Sequence, residues 1–327
     1  MAGTMIAEMP KADSHRAHST PARRVGSIRR TSSMEMNFPQ DLGGTYFVKG
    51  RARDVLTRTA GAAPEVLAED SLTARVSVPR IIEDFASDPP LPAEIALVGQ
   101  SALAGYRAAI APAVALPAYT DRPLALLLDD MVGSAIINTW VKVRCDGDVS
   151  ARRSGMENVC AGYATGSYSL TGNWREFADV EVPPLQLAED LDAFHELAAD
   201  APRTVRRARR IDVWRTAQGL AIDAMFQDSG VTPDGVRLAI HEYRFFAEAQ
   251  ERGGEMVLTG LDVVPGALPY DACRAAPLSG ERLYGTPLPE LRRRVLAELR
   301  GPVGCTHLND AYRSIAAATA LAQVCPA

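Results

Sequence analysis

The sequence predicts an α+β fold made of two tandem halves, each an antiparallel sheet followed by helices. Three observations support this prediction. Short runs that alternate polar and apolar residues begin near residue 28, Ala- and Leu-rich segments of helical length begin near residue 95, and the same order recurs after residue 205. Strands followed by helices are typical of α+β proteins.

The strands expected in the first half are bounded by Gly, Pro or Asp. They are SIRRTSSMEMNF, GGTYFVKGRARDVLT and SLTARVSVP, and the helical segments that follow are SALAGYRAAIA and RPLALLLDDMVGSAIINTW. We therefore assign residues 28–140 to an N-terminal α+β half. The polar residues 1–27 before it are expected to form a disordered tail.

Residues 205–327 repeat this order as a C-terminal α+β half. The expected strands are ARRIDVWRT, GLAIDAMFQD, VRLAIHEYRFFAEA and EMVLTGLDVVP, and the expected helices are TPLPELRRRVLAELRG and THLNDAYRSIAAATALAQV. The segment LLDDMVGSA is similar to HLNDAYRSI, and this alignment matches Asp130 with Asp310. This similarity predicts an internal duplication whose first copy is degenerate, because it has no counterpart of His241 or Cys273.

Residues 141–204 read as a linker, a loop and a helix. The loop CAGYATGSYSLTGNW is rich in Gly, Ser, Thr and Tyr, and its residues Tyr163, Tyr168 and Trp174 are candidates for substrate binding. An interdomain linker explains this composition equally well. The following LQLAEDLDAFHELAADAP is predicted to be an amphipathic helix with His195 on its surface.

Charge and composition exclude several classes of function. The formal net charge of −5 argues against nucleic acid as a partner, and VRRARR, residues 205–210, is interpreted as an exposed strand or helix end. The sequence contains no run of 18 apolar residues, so we expect no membrane span. Five widely spaced cysteines without a secretory signal predict reduced thiols in the cytoplasm. The expected partner is a small-molecule substrate, with a homo-oligomer left open.

His241 and Glu242 are the first candidate catalytic pair. Simple strand alternation places Glu242 on the same face as apolar Leu238 and Ile240. A carboxylate on an apolar face needs an ion-pair partner or has a raised pKa, and a raised pKa suits a general acid or base. A salt bridge to Arg244 is the alternative. Further along the chain, Tyr270 and Cys273 in ALPYDAC follow a strand end and are candidate loop residues of the site.

Cys305 and His307 form the second candidate pair, in GPVGCTHLND. A helix beginning here would place Cys305 at its N-terminus, where the helix dipole lowers the pKa of a thiol. The alternative is a small buried hydrophobic residue. The same dipole would keep His307 neutral, so that it could accept a proton or bind a metal, and a structural histidine is the alternative.

No metal and no organic cofactor is predicted. If a metal were bound, the ligands would be His241, Cys273, Cys305 and His307, but their spacing matches no standard zinc site. The motifs GxGxxG, GxxxxGK[ST], HExxH and GxSxG are absent from the sequence.

Several segments of the C-terminal half resemble one bacterial family. IHEYRFFAEAQ, ALPYDACRAAP and the run that ends in GCTHLNDAYRSIA are similar to the signatures of the family called domain of unknown function 2889. The resemblance spans about residues 205–320, and RRTSSMEMNFP resembles the opening of its longer members. It implies candidate site residues, and it implies no reaction.

The predicted function is a cofactor-independent acid–base enzyme acting on a small hydroxylated substrate with an aromatic body. The best expectation is a carbon–carbon lyase of the retro-aldol type that releases a small aldehyde. Hydrolysis or isomerisation would suit the same residues. The alternatives are a zinc-dependent hydrolase and a non-catalytic module for ligand binding or assembly.

Overall fold

A computed structural model describes residues 16–39, 44–137, 139–147, 155–171 and 179–326, and it confirms the α+β class. Within these residues, eight strands form one antiparallel sheet with the order β4-β3-β2-β1-β5-β6-β7-β8. The strands are β1 Ser27–Asn37, β2 Tyr46–Thr57, β3 Glu65–Val76, β4 Ile82–Asp88, β5 Thr204–Thr216, β6 Gly219–Val231, β7 Arg237–Arg252 and β8 Glu255–Pro265. β4 was not among the predicted strands.

The two halves meet in the middle of the sheet, where β1 pairs with β5. Arg29 lies opposite Asp212 and Arg206 lies opposite Glu35, and all four residues are buried. Arg29 Nε donates to Asp212 Oδ1 at 2.5 Å, and Arg206 Nε donates to Glu35 Oε1. Each half thus supplies an arginine to a carboxylate of the other, which joins the two four-stranded meanders into one sheet. The duplication itself stays a prediction.

Helices from both halves cover one face of this sheet. They are α1 Tyr106–Val114, α2 Pro123–Ile137, α3 Thr139–Arg144, α4 Tyr168–Thr171, α5 Leu291–Glu298, α6 Thr306–Ser314 and α7 Ala318–Ala322. One apolar core joins α1 and α2 to the first half of the sheet, and a second joins α5 to α7 to strands β5 to β8. A 3₁₀ turn, Ile315–Ala317, divides the last predicted helix into α6 and α7.

Residues from two segments cover the opposite face of the sheet, and both segments correct the sequence prediction. Arg23, within the expected disordered tail, donates its backbone N–H to Asp190 Oδ2 at 3.0 Å. The predicted amphipathic helix is instead irregular, with a single 3₁₀ turn at Leu191–Ala193. His195 is buried rather than exposed, with Nε2 2.7 Å from Ser33 Oγ. Backbone and side-chain hydrogen bonds to the sheet therefore replaced the helix.

The arginine-rich stretch 205–210 is also buried, contrary to its interpretation as an exposed end. Strand alternation directs Arg207 and Arg209 to the helical face, and Arg206 and Arg210 to the opposite face. Their partners include Asp130, Asp228 and Asp310 on the helical face, and Glu35, Asp212 and Asp223 on the other. Charge pairing explains how guanidinium groups remain inside the fold.

One apolar helical stretch satisfies the length and composition of a membrane span. It is Pro123–Arg144, and it includes a residue outside the described ranges. Leu124, Leu127 and Leu128 in this stretch pack in the core of the first half. The apolar character of α2 is therefore accounted for by burial inside the fold.

Candidate active site

Most of the sequence-predicted site residues lie around one cavity of about 520 Å³. Strand β7, the start of α6, helix α3 and the loop around residue 160 form its walls. The predicted residues that line it are Tyr163, His241, Tyr270, Cys273, Cys305 and His307. Residues separated by more than 140 positions in the sequence therefore share one site.

A β-bulge in β7 directs His241 toward this cavity. Asp228 of β6 lies opposite His241, whereas Ser229 lies opposite Ala239, so Ile240 is the extra residue of the bulge. Ile240 and His241 both line the cavity although they are adjacent in the strand. A bulge interrupts strand alternation and redirects side chains, which explains this arrangement.

The same bulge corrects the prediction for Glu242. Leu238 and Ile240 share the helical face with His241, and Glu242 points to the opposite face. There its carboxylate accepts hydrogen bonds from the backbone N–H of His18 at 3.0 Å and from Gln227 Nε2 at 2.8 Å. His18 Nδ1 also pairs with it, in place of the salt bridge considered with Arg244. The structure thus separates Glu242 from the other candidates.

Cys305 and His307 lie at the beginning of α6, as the sequence predicts. Cys305 is the N-cap residue, and the turn before it requires glycine at position 304, because an added Cβ would lie 2.4 Å from the Leu299 carbonyl oxygen. The backbone N–H of Ala161 donates to the Gly304 carbonyl at 2.7 Å. This bond fixes the loop around residue 160 against the start of α6.

Asp228 is the central residue that sequence reasoning missed. Its Oδ2 lies 3.3 Å from His241 Nδ1 and 3.8 Å from His307 Nε2. On its other side Arg207 donates to both carboxylate oxygens, at 2.8 and 3.0 Å. Asp228 is fully buried, and the only sequence signal for it was the aspartate that ends GLAIDAMFQD.

The charges of this group follow from burial and pairing. Burial alone would raise the pKa of Asp228, but the Arg207 guanidinium and the neighbouring His241 ring, 3.3 Å away, hold that pKa well below its usual range. Burial lowers the pKa of His307 well below its usual value, and nearby His241 lowers it further. Asp228 is therefore ionised and His307 neutral at pH 7.

The carboxylate also determines which ring nitrogen of His241 carries the proton. Because Asp228 accepts from Arg207 and is ionised, it favours a proton on the nearest ring nitrogen, Nδ1 of His241 at 3.3 Å, whereas Nε2 of His307 at 3.8 Å lies beyond hydrogen-bond distance. Nε2 of His241 is then left as a proton acceptor. The two rings stack with centroids 3.7 Å apart and an interplanar angle of 20°, so that one protonated ring disfavours protonation of the other.

The pKa values of the thiols around the cavity are raised, which favours a small buried residue over a thiolate at Cys305. Burial raises the pKa of Cys305 to about 11, despite a hydrogen bond with Tyr243 that lowers it. Burial also raises the pKa of Cys160 and Cys273. Desolvation of the thiolate thus outweighs the helix N-terminus.

Two tyrosines form another wall of the cavity. The rings of Tyr163 and Tyr270 meet edge to face with centroids 5.6 Å apart, and their hydroxyl oxygens are 3.5 Å apart. Gly162 permits this packing, since an added Cβ would lie 2.6 Å from Cys273 Sγ. Of the other two loop candidates, the side chain of Tyr168 and all of Trp174 lie outside the described part of the chain.

The residues that could hold a metal ion differ from the four ligands named conditionally in the sequence analysis. Among the described residues, Asp228, His241 and His307 have ligand atoms that all lie within 4.8 Å of one another. Cys273 and Cys305 do not belong to this group. Strand pairing, which sets Asp228 opposite His241, substitutes an oxygen ligand for the two expected sulfur ligands.

The first half contains the same ion pair without the histidines. Arg30 lies opposite Asp54 and donates to it at 2.7 Å, as Arg207 does to Asp228 in the second half. The residue opposite Asp54 on β3 is Ala68, in the position that His241 has on β7. The chemistry-bearing side chains are therefore found in the second half.

Comparison with known proteins identifies the C-terminal part of the chain. Residues 205–321 match the model of a family described as Protein of unknown function (DUF2889). The chain is therefore similar to this family over its C-terminal third. No curated protein and no solved structure gives a significant match. The DUF2889 region contains Asp228, His241, Cys305 and His307, all of which lie between residues 205 and 321.

Residues outside the DUF2889 region complete the cavity. Trp140 of α3 packs over Gly230 of β6, where an added Cβ would lie 2.4 Å from the indole ring. Arg80, from the turn before β4, and Tyr163 also line the cavity. The site therefore needs both halves of the chain, although the acidic and basic groups at its centre belong to the DUF2889 region.

Proposed function

We propose that the protein is an acid–base enzyme that acts on a small molecule without an organic cofactor. One observation carries the proposal: a buried, ionised Asp228 lies beside Nδ1 of His241, a residue that lines a cavity large enough for a small substrate. An ionised carboxylate beside one ring nitrogen raises the basicity of the other and stabilises the imidazolium that forms.

In this proposal, the residues around His241 and the two tyrosines have distinct roles. Nε2 of His241 removes the proton of a substrate hydroxyl, and Asp228 compensates the positive charge on the ring. Arg207 keeps Asp228 ionised and fixed by its paired hydrogen bonds. The Tyr270 hydroxyl, beside that of Tyr163, holds the substrate oxygen or returns a proton. Neutral His307 supports the ring of His241 by stacking.

The best candidate reaction is cleavage of a carbon–carbon bond next to a hydroxyl. Removal of the hydroxyl proton forms the carbonyl group of a small aldehyde as the bond breaks. The electron pair of that bond then takes up a proton from an acid, so one substrate yields an aldehyde and a protonated fragment. The aromatic and apolar lining, which includes Trp140 and Tyr163, favours a substrate with an aromatic body.

A metal-dependent hydrolase is the second candidate, and the cluster of Asp228, His241 and His307 favours it. Two histidines and one carboxylate are a common ligand set for divalent iron and zinc. Two features count against it. Arg207 occupies both oxygens of Asp228, and the stacked imidazole rings would have to turn for both nitrogens to face one ion.

The first experiment is elemental analysis with native mass spectrometry, followed by a screen for aldehyde release from small hydroxylated aromatic compounds. The proposal predicts turnover without stoichiometric metal, unchanged by a chelator. In His241→Gln activity falls at least about 100-fold, as expected for loss of a general base. Glu242→Gln is the matched control on the opposite face of the sheet, and it should keep the activity of the wild-type protein.

The other outcomes separate the alternatives. One metal per chain that His241→Gln and His307→Gln both abolish would favour the hydrolase. A large loss of melting temperature in His241→Gln, with no turnover by the wild-type protein, would favour a non-catalytic module.

A further inference from the structure

Among the described residues, the charged side chains that line the cavity of His241 are all basic. Arg80, Lys142 and Arg144 line it, and among the described residues no aspartate or glutamate does. The whole chain has 40 acidic residues and 35 lysines and arginines. The charged side chains found to line the cavity in the described part of the chain are therefore opposite in sign to the net charge of the protein.

Two of these basic groups have no ion-pair partner among the described residues. Arg144 pairs with Asp179, whereas no salt bridge within the described ranges involves Arg80 or Lys142. The backbone of Arg80 is held on both sides, because its N–H donates to the Ser77 carbonyl at 2.5 Å and its carbonyl accepts from Ala102 at 2.8 Å. A fixed backbone carrying an unpaired guanidinium suits recognition of an anion.

Exposure decreases from the basic side chains of the cavity to its two histidines. Lys142 is exposed and Arg80 half-buried, whereas the side chains of His241 and His307 are only 12% and 13% exposed. Leu103, Ile137 and Trp140 provide apolar lining. A ligand that matches these features has an anionic group at the outer end, an apolar or aromatic body, and a hydroxyl at the inner end.

We propose that the cavity binds small aromatic acids, with the carboxylate held by Arg80 and Lys142 and the hydroxyl directed to His241. This inference rests on the proposed function only in taking the cavity as the substrate site. A carboxylate forms charge-assisted hydrogen bonds with guanidinium and ammonium groups, and these are stronger than neutral ones. The two basic groups thus select acids over neutral compounds of the same shape.

A matched pair of probes tests this selection by calorimetry. The probes are 3-(4-hydroxyphenyl)propanoate and the neutral alcohol 3-(4-hydroxyphenyl)propan-1-ol, both at low ionic strength and again in about 0.5 M salt, where exposed charges are screened. We expect the wild-type protein to bind the acid at least about 10-fold more tightly than the alcohol, since hydrogen bonds to charged groups contribute that much. The preference should shrink in high salt.

Variants identify the groups responsible. Arg80→Gln with Lys142→Gln should reduce the preference for the acid to less than about 3-fold while leaving the affinity for the alcohol unchanged, as expected when only charge-assisted bonds are lost. Arg58→Gln is the control, because Arg58 pairs with Glu65 on the exposed surface and does not line the cavity. It should keep the preference.

The outcomes distinguish this inference from the proposed function. Equal affinity for both probes, a preference that survives in the double variant, or no binding of either probe would overturn the inference. If the acid binds preferentially, and His241→Gln binds it like the wild-type protein, but no hydroxylated acid is turned over, the inference stands and the proposed catalytic function fails.

Discussion

Asp228 and His241 lie opposite each other on neighbouring strands, and Oδ2 of the carboxylate is 3.3 Å from Nδ1 of the ring. On the other side of the same carboxylate, Arg207 forms two hydrogen bonds. This relationship sets both the charge of Asp228 and the orientation of His241.

Replacing Asp228 with Asn should change the tautomer of His241 and abolish activity. The amide NH₂ group donates where the carboxylate oxygen accepted, so the His241 proton moves from Nδ1 to Nε2 and the base is lost. Long-range ¹H–¹⁵N spectra at pH 8 report the tautomer, and we expect activity to fall at least about 100-fold.

The matched control for this change is Asp54→Asn in the first half. Asp54 has the same buried pair with an arginine and no histidine beside it. It should lose stability to a similar extent while activity persists. Equal loss of activity in both variants would indicate that Asp228 acts only through stability.

Replacing Gly133 with Ala should destabilise the protein, although alanine is the better helix former by about 1 kcal/mol. An added Cβ would lie 1.6 Å from Arg207 Nη1. The guanidinium cannot move away freely, because it also binds Asp310 on α6 at 3.1 Å. We expect the free energy of unfolding to fall by at least about 1 kcal/mol, as in overpacked cores. A gain in stability in urea denaturation would contradict this account.

The thiols should react according to burial. Cys145 is half-buried, while Cys160, Cys273, Cys305 and Cys325 are buried. With a disulfide reagent at pH 8, we expect Cys145 to react first and the remaining four thiols to react only in denaturant. Cys145→Ser should remove the early reaction. Rapid labelling of Cys305, located by peptide mass mapping, would instead indicate a thiolate at the start of α6.

Stability should decrease as the pH falls below about 6.5, in part through His195. Burial, together with nearby arginines, lowers the pKa of His195 to about 3. In the unfolded chain His195 binds a proton below about pH 6.5, whereas in the folded chain it stays neutral at pH 5. This group alone therefore lowers the free energy of unfolding at pH 5 by about 2 kcal/mol. His307, with its lowered pKa, contributes in the same direction.

Denaturation curves at pH 7.5 and pH 5 measure this effect. In His195→Gln, the loss of stability between the two pH values should be smaller by about 2 kcal/mol, since one titrating group is removed. An unchanged pH dependence would mean that His195 accepts a proton inside the fold.

Local pattern was sufficient for much of the secondary structure. Alternation located strands such as β5 and β7, and apolar spacing located helices such as α2 and α5, because a side chain's face is fixed by the repeat of its own element. Local sequence pattern did not predict the secondary structure where contacts with distant segments determine it. β4 was missed, and residues 184–201 are irregular because His195 and the surrounding backbone bond to the sheet.

The sequence by itself determined the α+β class, the repeated order of strands and helices, and the candidates His241, Tyr270, Cys305 and His307. Only the tertiary structure decided that Asp228 and Arg207 complete the group, that Glu242 points away, and that Cys305 keeps its proton. The reason is physical. Strand register, a single bulged residue and burial depend on contacts between segments far apart in the chain, and no local repeat encodes those contacts.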